Sequence, residues 1–275
     1  MSGGRLATAA DARIEALLAR ERVIIALALL ALTVVAWIYL ATMEMPGEMG
    51  AMSSEGSMSG EAMGHAGMAM SAWSASRFSA TFAMWVIMMV GMMTPSAART
   101  ILLFAALHRK AGDASRRYPS TALFAAGYLL AWTGYALVAT VAQWQLSSAG
   151  LLSADMKAAP VVSALLLLGA GTYQFLPLKE TCLTHCRSPA DFLVAHRRSG
   201  AFGPLLMGLH HGAYCVGCCW LLMGLLFALG VMSLSWVAAL TALVIAEKLM
   251  PGGRYIAWAG GATMIAAGLI ALLSL

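Results

Sequence analysis

One apolar stretch, residues 207–223, contains two histidines and three cysteines within a run that otherwise suits a membrane helix. At about 3.6 residues per turn, most of its potential ligands fall within an arc of roughly 80°, and the last lies about 40° further round. The residues on this face are Met207, His211, Cys215, Cys218 and Cys219. Thiolate, thioether and imidazole groups select Cu(I), and thiolate with imidazole also suits zinc. We therefore predict a metal site here, with His210 beside it.

A second group of potential ligands precedes this stretch and contains Cys182, His185 and Cys186. If the chain is helical after Pro177, the two cysteines are four residues apart and the histidine lies on the same side. Nearby basic residues would favour the thiolate form that binds metal. We predict a cytoplasmic docking or exit site for metal. The alternative is that two small residues simply lie at a membrane surface.

Methionines form a third group within residues 79–104. They follow two rows of one helix, Met84, Met88 and Met92 in the first and Met89 and Met93 in the second. Pro95 removes a helix hydrogen bond and crowds the carbonyl of Gly91, so we expect a kink or a freed carbonyl there. A row of thioethers could pass a soft cation along the helix. The alternative is ordinary packing, for which methionine is well suited.

The elements that must position these residues are membrane helices. The chain has 275 residues, of which 61% are hydrophobic and 11% charged, and its mean hydropathy is +0.80. This composition excludes a soluble domain of that size. Apolar runs of about 20 residues, each able to cross a bilayer, predict an all-α polytopic helix bundle of about seven transmembrane helices. They cover residues 22–42, 79–104, 121–146, 159–176, 204–229, 232–249 and 255–274.

Basic residues predict the orientation of this bundle. They concentrate in the links after the second, fourth and sixth segments, whereas only Arg77 and Lys157 lie on the other side. The positive-inside rule then places the N-terminus in the cytoplasm. We predict a cytoplasmic lead (1–21), a first anchor (22–42), an outer loop (43–78) and a six-helix membrane domain (79–275). The net charge of +5 reflects this topology, and we expect no nucleic-acid partner.

The outer loop is rich in methionine, with eight of the chain's 20 methionines between residues 43 and 70. Its Gly, Ser, Ala and Glu content cannot build a core, so we expect it to be flexible. Thioethers can bind Cu(I) in an oxidising compartment because they form no disulfides. The loop is therefore either a copper-collecting tether or a linker that happens to contain methionine.

Other features favour structural roles. The five cysteines are an odd number and none lies in a predicted outer loop, which argues against a secreted-type disulfide framework. The third segment, with Tyr128 among small and aromatic residues, is interpreted as scaffold. Glu247 and Lys248, followed by Pro251, are interpreted as a turn where charged side chains reach out of the membrane.

Four motifs resemble a family of uncharacterised bacterial integral membrane proteins that are described as predicted metal-binding. These motifs are Met84-Trp-x-x-Met88-Met89-x-x-Met92-Met93-x-Pro95-Ser96, Tyr173-Gln-x-x-Pro177-Leu-Lys179-x-x-Cys182-Leu-x-His185-Cys186-Arg187-Ser-Pro189, His211-Gly-x-Tyr214-Cys215-x-Gly-Cys218-Cys219-Trp220-x-Leu-Met223 and Glu247-Lys-x-x-Pro251-x-Gly. The resemblance covers about residues 80–254. It implies a multi-span protein of the bacterial inner membrane with a metal site, and no particular mechanism.

The leading hypothesis is a membrane protein that binds Cu(I), or else zinc, and translocates it or delivers it to a copper enzyme or copper chaperone. One alternative is an accessory subunit or assembly factor of a copper membrane enzyme. Another is a membrane thiol oxidoreductase that uses Cys215, Cys218 and Cys219. We expect no catalytic activity, and we leave oligomer formation open. The chain contains no G-x-x-x-x-G-K-[ST] motif, so direct coupling to ATP hydrolysis is not expected.

Overall fold

The computed structural model describes residues 22–42, 73–110, 117–153, 156–198 and 200–275. Within these residues the regular structure is helical, and one isolated bridge joins Leu152 to Ala158. The predicted lead and most of the predicted outer loop lie outside the described residues. The helices are α1 (Arg22–Thr42), α2 (Ala75–Lys110), α3 (Arg117–Ser148), α4 (Pro160–Tyr173), α5 (Pro177–Arg187), α6 (Pro189–Ala195), α7 (Gly203–Gly224), α8 (Leu226–Leu229), α9 (Leu234–Leu249) and α10 (Gly253–Leu273).

All seven predicted segments are helical, but fewer than seven have the length and composition of a membrane span. Five helices qualify in the described part of the chain, or six if α4 and α5 together form one span. These two helices meet at a bend of 65° because the first ends at Tyr173 and Pro177 starts the next. Helix α9 has only 16 residues, fewer than the roughly 20 that cross a bilayer. The all-helical bundle is confirmed, whereas the predicted orientation stays a prediction.

Helices α3 and α7 pack with their backbones in contact. A methyl group at Gly208 would overlap the carbonyl oxygen of Phe124, and one at Gly127 would overlap that of Leu205. Small residues allow such close approach between membrane helices. This contact places Tyr128 of α3 directly beside Cys215 of α7.

Helix α1 packs against the point where Pro95 interrupts the hydrogen bonding of α2. Proline lacks the N–H that would bond to the carbonyl of Gly91, and the Trp37 indole donates to that carbonyl oxygen instead, at 3.2 Å. Gly91 also admits α1 closely, since a methyl group there would lie 3.2 Å from the Ala36 side chain. The expected freed carbonyl is therefore confirmed, and it serves to dock α1.

Replacing Trp37 with Phe should weaken this docking. The variant keeps an aromatic ring but leaves the Gly91 carbonyl without its donor, so we expect a loss of about 1 kcal/mol in the free energy of unfolding. Thermal unfolding in detergent measures the change. Trp258→Phe in α10 is the control, because its ring stacks on Phe175 at the surface. Equal midpoints of thermal unfolding for the two variants would contradict this role for Trp37.

A buried ionic network joins the bent pair α4 and α5 to α9. The Lys179 ammonium lies 2.7 Å from a carboxylate oxygen of Glu247 and also donates to Gln174. The Gln174 amide donates to the other Glu247 oxygen at 3.0 Å, and Arg187 donates twice to the Glu247 carbonyl. Glu247 and Lys248 are both buried. The interpretation of this pair as an exposed membrane exit was therefore wrong, because each side chain finds a partner inside the bundle.

Candidate metal centre

The predicted ligand stripe lies on the buried face of α7. His211 is 2% exposed and the cysteines at 215, 218 and 219 are each 1% exposed, while Met207 is buried on the same face. The thiols of Cys218 and Cys219 donate to the carbonyl of Cys215, at 3.1 and 2.9 Å. All five cysteines of the chain are free thiols. The helix thus keeps its soft donors inside the protein and away from lipid.

Helix α5 adds two more thiols to this face. The Cys186 thiol interacts with those of Cys215 and Cys218. The Cys182 thiol packs against Gly217, where a methyl group would lie 2.9 Å from its sulfur. A side chain at position 217 would displace this thiol from its position. Sulfurs from two helices therefore meet in one cluster, which we call the thiol cluster (Cys182, Cys186, Cys215, Cys218 and Cys219). The three thiols of α7 are buried and the two of α5 are partly exposed.

Two polar side chains converge on Cys215 from other helices. The Lys248 ammonium of α9 donates to its sulfur at 2.9 Å and to the Ser96 hydroxyl at 3.3 Å. The Tyr128 hydroxyl of α3 lies 3.1 Å from the same sulfur and donates to the Met93 carbonyl, also at 3.1 Å. Lys248 brings a positive charge beside a sulfur whose metal-binding form is the negatively charged thiolate. Cys215 is therefore the point where four helices meet.

His211 lies one turn before Cys215 in an aromatic pocket. Its ring centre is 5.2 Å from that of Phe192, 5.7 Å from Tyr128 and 6.1 Å from Phe124. Nδ1 of His211 is buried and has no hydrogen-bond partner in the described part of the chain. A buried polar atom without a partner is costly. This nitrogen therefore fits a ligand that the protein residues themselves do not supply.

The methionine rows of α2 lie inside the bundle. Met88, Met89, Met92 and Met93 are almost fully buried, and Met84 is partly exposed. Met84 and Met88 line a cleft together with Met232, next to Leu40 near the end of α1. The other end of the rows reaches Tyr128 through the Met93 carbonyl. The rows therefore extend from a cleft beside the end of α1 to the residues around Cys215.

His185, which was predicted to share a side of α5 with Cys182 and Cys186, contacts aromatic and imidazole rings. Its imidazole stacks on the Tyr214 ring with centres 4.1 Å apart and planes 2° from parallel. His210 also contacts Tyr214, at 5.7 Å between ring centres. In the second predicted group, Cys182 and Cys186 therefore belong to the thiol cluster, whereas the His185 imidazole contacts Tyr214 and His196.

Across the described residues, no three His, Cys, Asp or Glu side chains form a group arranged to hold an ion. The hydrogen bonds of the cysteines explain why their sulfurs are not arranged around an ion. Cys215 is engaged by Lys248, and the neighbouring thiols at 218 and 219 are turned toward a backbone carbonyl. The donor set itself, thiols with an unpartnered imidazole, is the type that soft cations prefer. Ligation by these residues stays a prediction.

Comparison with known families bears on this donor set. A family model described as PpoB2, copper chaperone, matches residues 82–271. The chain belongs to this family. The PpoB2 copper chaperone match agrees with the metal-related resemblance in the motifs and supports copper as the metal. It spans most of α2 through most of α10, so the thiol cluster, the methionine rows and Lys248 all lie within it. No curated protein and no solved structure gives a match.

Several residues of this PpoB2 family member escaped prediction although they lie beside predicted ligands. Lys248 and Tyr128 contact Cys215, Met232 lines the methionine cleft, and His196 joins the histidines. A charged side chain at the end of an apolar segment is the signal that could have indicated Lys248, because such groups inside a membrane are usually functional. The other three had no distinctive local pattern.

Proposed function

We propose that this protein binds Cu(I) as cargo at the thiol cluster, inside the bacterial inner membrane, and delivers it to a copper enzyme. The observation that carries the proposal is the meeting of partly exposed cysteines of α5 with buried cysteines of α7 in a copper chaperone family member. Thiolates select Cu(I) over harder cations. Cys186, Cys215 and Cys218 are the proposed main ligands, with Cys219 and His211 flanking them.

The methionine rows are the proposed approach to this centre. The cleft between Met84, Met88 and Met232 lies near the end of α1, where the chain continues into the methionine-rich residues 43–70. Copper collected by thioethers there would enter the cleft and pass Met92 and Met93 on its way to Cys215. The orientation that makes this entry external is the one predicted from the basic residues. Passage of copper along the rows is part of the proposal.

The proposed role of Lys248 is to stabilise the thiolate form of Cys215, which is the form that binds copper. Its ammonium compensates charge on Cys215 within an apolar interior, where an isolated thiolate would be costly. Ser96 offers the ammonium a second partner 3.3 Å away, so it has a position to occupy when the sulfur binds copper. In this proposal the protein carries the ion and catalyses no reaction.

Metal analysis of protein purified under reducing conditions tests this function. Replacing Cys215 and Cys218 together with Ser should bring bound Cu(I) close to background, because it removes two of the three proposed main ligands. The comparison variant is Cys182→Ser, whose thiol packs against Gly217 at the edge of the cluster and is not among the proposed ligands; it should retain most of the copper. Zinc is measured in the same samples.

Equal copper contents in the wild type and the double variant would refute the thiol centre. A metal content dominated by zinc and sensitive to the same substitutions would replace copper with zinc as the cargo. Gel filtration in detergent confirms that each variant is folded before its metal is counted.

A further inference from the structure

Three histidines from separate parts of the chain lie together beside Tyr214. His185 is near the end of α5, His196 follows α6 and His210 is in α7. The ring centres of His196 and His210 are 5.1 Å apart, and those of His185 and His196 are 6.2 Å apart. Two imidazoles that share one ion through nitrogens at about 2.0 Å have ring centres roughly 5–6 Å apart. The observed spacing therefore matches imidazoles that could bind the same ion.

Backbone contacts fix which ring nitrogen is available in two of these histidines. Nδ1 of His185 lies 2.8 Å from the Thr181 carbonyl oxygen, and Nδ1 of His196 lies 3.2 Å from that of Phe192. A carbonyl can only accept, so Nδ1 carries the proton and Nε2 keeps its lone pair. Metal-binding histidines are commonly oriented in this way, with the nitrogen opposite the ligating one bonded to a backbone carbonyl.

The histidines differ in accessibility from the α7 residues of the candidate centre. All three are partly exposed, as are Cys182 and Cys186, whereas Cys215, Cys218 and His211 are buried. Tyr214 is next to Cys215 in sequence, and its ring stacks on His185 and contacts His210. The imidazoles therefore lie beside the end of α7 from which an ion bound at Cys215 could leave.

We propose that His196 and His210 form a second copper site at the surface of the bundle, with His185 beside it. The proposal rests on the proposed function, since the ion is the same cargo. Cu(I) can be bound by as few as two ligands, so two imidazoles are sufficient. A group of three ligands, which is absent from the described residues, is not required. Imidazole binds copper less selectively than thiolate does, which suits a site that releases its ion to a partner.

The test is anaerobic Cu(I) titration of the full-length protein in detergent, combined with X-ray absorption at the copper edge. Replacing His196 and His210 with Ala should lower the bound copper by about one equivalent and reduce the number of nitrogen ligands per copper, while the sulfur ligands persist. The control His108→Ala removes a histidine of α2 and should change neither. A second pair of substitutions, His196→Gln and His210→Gln, gives the same readout if the alanine protein is poorly folded.

The Cys215→Ser/Cys218→Ser protein separates this proposal from the proposed function. If it retains copper bound only by nitrogen, and the histidine variant loses that ligation, the surface site stands. If the histidine substitutions change neither the amount of copper nor its ligands while the cysteine substitutions abolish binding, the surface site is refuted and the thiol centre stands. If neither set changes the bound copper, both proposals fail.

Discussion

Replacing Glu247 with Gln is expected to lower the free energy of unfolding by about 3–5 kcal/mol, because it leaves the Lys179 ammonium buried without its counter-ion. Both side chains are 2% exposed and their charged atoms lie 2.7 Å apart. The loss should appear as a lower midpoint of thermal unfolding in detergent and as a lower yield of folded protein.

Two further variants identify the cause. Glu180→Gln removes a more exposed carboxylate from the same helix as Lys179, and its effect should stay within about 0.5 kcal/mol. The double replacement Lys179→Met/Glu247→Leu should recover much of the stability, since a buried pair replaced by apolar groups leaves no unpaired charge. A Glu247→Gln protein as stable as Glu180→Gln would show that the ion pair contributes little.

Replacing Gly208 with Ala is expected to destabilise the protein by about 3 kcal/mol, at the upper end of the usual cost of overpacking. The added methyl group overlaps the Phe124 carbonyl, which is backbone and cannot rotate away. Helices α3 and α7 must then separate. Because this contact holds Tyr128 beside Cys215, the variant should also retain less copper after purification.

Gly134→Ala is the matched control for this substitution. Gly134 lies in α3, where a methyl group would meet nothing within 4 Å. Alanine favours a helix over glycine by about 1 kcal/mol, so the control should be neutral or slightly more stable. Chemical unfolding in mixed micelles measures both variants. Equal stability of the two would contradict the close packing of α3 on α7.

Sequence patterns predicted the helices and most potential ligands because both depend on local information. Apolar runs define helices, and the spacing of His211 and Cys215 fixes their common face whatever the rest of the fold. The count of seven spans is not confirmed, because α9 has only 16 residues and the run at 159–176 is not one continuous helix. The chain instead turns after Tyr173 and starts a new helix at Pro177.

Long-range partners could not be predicted in this way. Glu247 lies 68 residues from Lys179, and no local pattern distinguishes such a pair from charged side chains that reach the membrane surface. The same holds for His185. Its position in the helix predicts the face on which its side chain lies, but not which residue of another helix it contacts. Its ring contacts those of Tyr214 and His196, and these contacts depend on the packing of α5 and α6 on α7.

Cys186 belongs to α5, beyond the 65° bend, while its sulfur partners belong to α7. A cation bound by both would act as a reversible crosslink between segments that are joined in the chain only through α6 and the link that follows it. Copper binding and unfolding then become linked equilibria. By mass action, copper at 100 times its dissociation constant would raise the free energy of unfolding by about 2.7 kcal/mol. Bound copper would restrain the bend between α4 and α5, and release of copper would make it more mobile. A recipient protein could therefore distinguish the copper-loaded protein from the empty one by the mobility of this bend.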